Sequence, residues 1–166
     1  MADKSSFTRD EWTLLLESPM IAGMAITAAE PSGLWGLLQE SFAGAGALAK
    51  AKLDSSTNPL VRAVADDFAT AEGRSAARDG LRTKLTGKKA GEMKIKCIDA
   101  LSQVSTLLDA KAAADAAAFK SWLRQISQHT AEAATEGGFL GFGGVAVSDA
   151  EKATLGEISG ALKLAG

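Results

Sequence analysis

AGEMKIKCIDALSQVSTLLDAKAAADAAAFKSWLRQISQHTAEA, residues 90–133, decides the fold. Met93, Cys97, Leu101, Val104 and Leu108 recur at the spacing of one helix face, and Phe119, Trp122, Leu123, Ile126 and Ala133 repeat the pattern further on. Side chains three, four and seven apart lie on one side of an α-helix, whereas a strand would alternate every second residue. The stretch therefore predicts two long amphipathic helices. The alanine bias at Ala110 to Ala118 agrees, because alanine has the highest helix propensity.

Upstream and downstream, the punctuation reads as helix starts. Thr8 with Glu11 and Ser148 with Glu151 are capping boxes, and Phe7 with Trp12 completes the first as a hydrophobic staple. Asn58-Pro59 and Ser18-Pro19 pair a capping residue with proline at the first helical position, which predicts helices from Pro59 and from Pro19 to about Ala29. Ser32 opens a further helix through Leu34, Leu38, Phe42, Ala45 and Leu48, kinked near Gly44 and Gly46. Gly73 ends or bends the helix that begins at Pro59. Arg74 to Leu85 continues with Ala77, Leu81 and Leu85 inward, and Thr86-Gly87 stops it. The expectation is an all-α, single-domain antiparallel bundle of about six to seven helices over residues 1–166, with residues 1–7 disordered.

Composition narrows the classes. Hydrophobic residues at 46% and charged residues at 23% fit a globular chain rather than a disordered one. Cys97 is the only cysteine, so no internal disulfide forms. Met1 to Ser6 lacks the apolar run of a secretory leader, and no run of about 18 apolar residues offers a transmembrane segment. A soluble, cytoplasmic protein is expected.

Several chemical motifs fail on inspection. Gly141-Phe142-Gly143-Gly144-Val145-Ala146 has the spacing of a dinucleotide fingerprint, but a predicted helix precedes it where a strand is required. The same loop lacks the Asp and Asn ligands of a calcium site. Gly87-Lys88-Lys89 lacks the upstream glycine and the Ser or Thr of a P-loop. His129, Glu132 and Glu136 share a face, yet a metal needs three or four converging ligands. Asp66 and Asp67 are adjacent and point apart on a helix. With no tyrosine, one histidine and one cysteine, no catalytic residue, metal or cofactor is expected.

Two features stand out instead. Arg74 to Lys96 holds eight basic and two acidic residues, a local charge of +6 on a chain whose net charge is −2. Arg74, Arg78 and Arg82 fall on one helix face, and Lys88 and Lys89 adjoin the next helix start, where an anion can bind. The loop at 137–147 carries Phe139 and Phe142 among glycines and forms either a core plug or a docking tip. The leading reading is a non-catalytic binding or adaptor protein using the basic face (74–96) or this loop. Its partner is an acidic protein surface or a small anion. Duplex DNA is not expected at a pI near 5.5. A homodimer is compatible with the sequence. The alternatives are an enzyme or small-ligand protein with a site near Trp122 and His129, and an anionic-surface or nucleic-acid binder.

Overall fold

A computed structural model of the chain describes residues 1–29, 48–51, 53–54, 56–136 and 147–164. They contain a 3-10 turn, Lys4–Ser6, and six α-helices. These are α1 (Arg9–Thr27), α2 (Pro59–Phe68), α3 (Ala71–Leu85), α4 (Ala90–Lys111), α5 (Ala113–Glu136) and α6 (Asp149–Ala161). Residues 48–51 are also helical, and no strand occurs among the described residues. The fold is an all-α helical bundle, as the periodicity predicts. The helix expected between Ser32 and Leu48 lies largely outside the described residues.

α1 is the hub. It touches each of the other five helices and buries Trp12, Leu15, Leu16, Ile21, Ala22, Ala25 and Ile26. A helix apolar on most of its circumference belongs in an interior. Each of its larger aliphatic side chains contributes roughly 1.5–3 kcal/mol on leaving water. α4 and α5 bring Leu101, Val104, Leu108, Phe119, Leu123 and Ile126 to the same core. Ala133, placed on this face by its spacing, is exposed near the end of α5. The alanine run is broken at Ala112, the single residue between α4 and α5.

Local signals set most boundaries. Thr8 accepts from the Glu11 N–H while Glu11 accepts from that of Thr8, and Ser148 and Glu151 do the same. Phe7 and Trp12 stack at a tilt, 5.8 Å between ring centres. Asn58 caps α2 through the Leu60 and Val61 amides. Gly87, at φ 76°, follows the end of α3.

Two expected helix boundaries are corrected. Ser18-Pro19 starts no helix, because α1 runs through Pro19. Proline lacks the N–H that Leu15 C=O would receive in a regular helix, and the buried Ser18 hydroxyl donates to that carbonyl instead, at 2.8 Å. Residues 1–7, expected to be disordered, make defined contacts with the bundle. Asp3 caps the 3-10 turn, the Ala2 N–H reaches the buried Asp115 carboxylate at 3.0 Å, and Phe7 is buried. Asp115 also accepts from Asn58 at 2.9 Å, so it joins the first residues, the α2 cap and the first turn of α5. The break between α2 and α3 falls at Ala69-Thr70, not at Gly73. Thr70 caps α3 by accepting from the Gly73 N–H, and a Cβ at Gly73 would collide with the Asp67 carbonyl.

Candidate functional site

α3 positions every charged feature of interest. At 3.6 residues per turn its side chains sort into three stripes. Gly73, Ala77 and Leu81 are buried and face the bundle. Arg74, Arg78 and Arg82 form one exposed flank, and Glu72, Ser75 and Asp79 form the other.

The inner stripe is thin because its residues are small, and this brings the α3 backbone close to α1. Glu17 lies beneath it with no exposed side-chain surface. Its Oε2 pairs with Lys84, its Oε1 has no partner, and a Cβ at Gly80 would collide with that oxygen. Burial pushes the Glu17 pKa up, and the Lys84 ammonium offsets this only in part.

The arginine flank spans about 12 Å along the helix axis at 1.5 Å per residue. Arg74 donates to the Ala69 carbonyl at the end of α2. Arg74, Arg78, Arg82, Lys88, Lys89 and Lys96 have no carboxylate partner among the described residues, while Lys84 and Lys94 pair with Glu17 and Glu157. Elsewhere Lys4, Lys111, Lys120, Lys152 and Lys163 each reach a carboxylate. The acidic remainder of the molecule therefore does not neutralise this flank through contacts. Lys88 and Lys89 do adjoin the start of α4, but Glu92 already accepts from the Lys89 N–H there at 2.9 Å. An external anion at that helix end would have to compete with this carboxylate.

Along the Glu72, Ser75 and Asp79 stripe, α3 and the start of α1 line an open cleft of about 620 Å³. Phe7, Trp12 and Leu16 line its apolar side, and Asp67, Glu72 and Asp79 supply carboxylates. Asp67 Oδ2 accepts from Trp12 Nε1 at 2.6 Å and from Lys4 Nζ at 2.9 Å. Partial burial would raise the Asp67 pKa, but these two donors outweigh it and hold the carboxyl below its usual value. Sequence reasoning missed this cleft. Trp12 and Asp67 are 55 residues apart, and only the helical spacing of Glu72, Ser75 and Asp79 was locally readable.

Phe139 and Phe142 lie outside the described residues. The Trp122–His129 alternative gains no support. Phe119 and Trp122 meet edge to face at 5.3 Å, but His129 is exposed and approaches Glu132 at 3.5 Å on the outside of α5. Among the described residues no three His, Cys, Asp or Glu side chains converge on a metal position. Cys97 is buried, and its pKa is pushed up to about 12, so its thiol stays protonated. No described helix is long and apolar enough to cross a membrane. Comparison with protein-family models, curated proteins and solved structures found no match to this chain.

Proposed function

We propose that the protein is a non-catalytic binding or adaptor protein that docks an acidic protein surface along the Arg74, Arg78 and Arg82 flank of α3. The carrying observation is the uneven pairing of its cations: among the described residues, the 74–96 segment holds most of those without a carboxylate partner, while most lysines elsewhere are paired. Like charges at four-residue spacing repel one another, and an acidic partner relieves that repulsion. Ile95, 60% exposed between Lys94 and Lys96, is an exposed apolar residue within the same basic segment. The Glu92 carboxylate at the start of α4 favours an extended acidic surface over a small anion held by Lys88 and Lys89. A cytoplasmic location fits the unpaired, buried Cys97.

The test is calorimetric titration of poly-glutamate into wild type and an Arg74→Gln/Arg78→Gln/Arg82→Gln variant. Wild type should bind with an affinity that falls as salt rises, and the variant should lose about tenfold or more, roughly 1.4 kcal/mol. Equal affinities would reduce the flank to a solvated helix face. Tight duplex DNA binding that falls steeply with salt would replace the acidic partner with a nucleic acid.

A further inference from the structure

α3 is held to the bundle by little apolar surface. Over its 15 residues it buries Gly73, Ala77 and Leu81, so Leu81 is the one large apolar side chain it sends fully inward. α6, with 13 residues, buries both Leu155 and Ile158. Gly73 and Gly80 also lower the intrinsic helix propensity of α3. A break at Ala69-Thr70 precedes the helix, and Gly87 at φ 76° follows it, so the chain can pivot at both ends. An element with few buried apolar groups between two such joints belongs to the low-stability part of a fold. What α3 covers adds to this. Glu17 has no exposed side-chain surface, its Oε1 has no partner, and a Cβ at Gly80 would collide with that oxygen. The closed arrangement leaves this acceptor unsatisfied, and an open one hands it to water.

We infer that α3 opens from the bundle as a unit about its two end joints, and that the ionised Glu17 carboxylate beneath Gly80 favours the open form while the protonated carboxyl favours the closed one. Among the described residues, Lys84 is the charged group that acts on Glu17, and it offsets the burial only in part. From α4, Lys96 and the protonated Cys97 thiol border the Lys84 stem. α2 presents Asp67 to Trp12, further up α1. α5 presents uncharged hydroxyls, Ser127 to the Ala22 carbonyl and Thr130 beside Gly23. In α6, Lys152 and Glu157 are engaged with Asp149 and Lys94. Burial holds the Glu17 carboxyl above its ordinary range, so the closed form keeps the proton more tightly than the open form does. Closure from this group is therefore fullest below the open-state value and declines as pH rises through the closed-state one. The opening is a property of the isolated chain and does not depend on the function proposed for the arginine flank.

The experiment is amide hydrogen exchange of the ¹⁵N-labelled full chain, corrected for intrinsic rates at each pH. The amides of Ala77, Leu81 and Leu85 should share one protection factor, about tenfold or more below those of Leu101 in α4 and Leu123 in α5. Glu17→Gln should raise that shared factor about tenfold at pH of about 8, with the gain closing as pH falls toward about 5. Lys84→Met takes away the partial counter-ion and keeps the stem, so it should lower the factor at the higher pH. Ile158→Val shortens a buried side chain of α6, which stays folded when α3 opens. It should lower the protection of Leu123 and leave that of α3 unchanged. Two results would overturn the inference. In one, the α3 amides are as protected as Leu101 and Leu123, or fall with them in Ile158→Val, so that α3 leaves only with the whole fold. In the other, α3 protection is indifferent to Glu17→Gln at every pH, so that the carboxylate takes no part in the opening.

Discussion

Glu17 is the residue at which the fold departs furthest from what its sequence announces. Between Leu16 and Ser18 it is an ordinary acidic position, and its partner Lys84 is 67 residues away. What buries it is Gly80, whose missing side chain lets α3 close over the carboxylate. An orphaned buried acceptor costs roughly 1–3 kcal/mol, and a buried charge adds to that unless fully paired. Here the partner Lys84 side chain is itself 40% exposed and only Oε2 is paired, so the pairing is incomplete. The consequence is a pH dependence of definite sign. Burial raises the folded-state pKa of Glu17 above its ordinary 4.5, so the folded protein holds this proton more tightly than the unfolded chain does. Stability from this group is highest below the unfolded value and declines as pH rises through the folded one. Glu17→Gln removes the linkage and keeps the shape. The variant should be the more stable at pH of about 8, by about 1 kcal/mol or more, with the gap closing as pH falls toward 5. Urea denaturation across that range measures it, and a gap independent of pH would show that Glu17 is not the linked group.

Elements were legible where their signals are local. The boxes at Thr8 and Ser148 and the cap at Asn58 each span three or four residues, so sequence alone placed α1, α2 and α6 at their starts. The arginine stripe was legible for the same reason. Ser18-Pro19 misled because proline fits a helix start and, with compensation, a helix interior equally well by composition. The compensation is the Ser18 hydroxyl on Leu15 C=O, a contact that exists only once the helix does. The contacts of Ala2 and Lys4 were not legible because their partners, Asp115 and Asp67, lie far along the chain. α6 ends in a Schellman pattern, with Leu164 N–H on Ser159 C=O and Lys163 N–H on Gly160 C=O, and Lys163 at φ 54° takes the place glycine usually fills. The Ser18 account yields a coupling. Ser18→Ala should cost about 1–3 kcal/mol, because a buried carbonyl loses its donor. In a Pro19→Ala background the backbone N–H restored at that position can serve Leu15, so the same change should cost measurably less. A double-mutant cycle by chemical denaturation reads the difference. Strict additivity would remove the proposed role of the hydroxyl.

On the scale of the whole molecule, charge is the organising quantity, and its meaning could not be settled from composition. The segment 74–96 carries +6 while the rest of the chain carries −8, so a chain near neutrality has two opposite regions. In the fold α3 carries both signs in separate exposed stripes, Arg74, Arg78 and Arg82 in one and Glu72 and Asp79 in the other. A flank built for a partner and a flank built for stability differ in what the isolated protein loses when the charge is removed. Exposed arginines without carboxylate partners contribute little to folding, and their mutual repulsion at four-residue spacing works slightly against it. Arg74→Gln/Arg78→Gln/Arg82→Gln should therefore leave the folding free energy within about 0.5 kcal/mol of wild type. Any change at low salt should be a gain of a few tenths of a kcal/mol. That gain should vanish near 1 M salt, where the screening length shrinks to about 3 Å. Urea denaturation of both proteins at low and high salt measures it. A loss above about 1 kcal/mol would make the arginines part of the fold, through contacts such as that of Arg74 with the Ala69 carbonyl, and would remove the reason for assigning them to a partner.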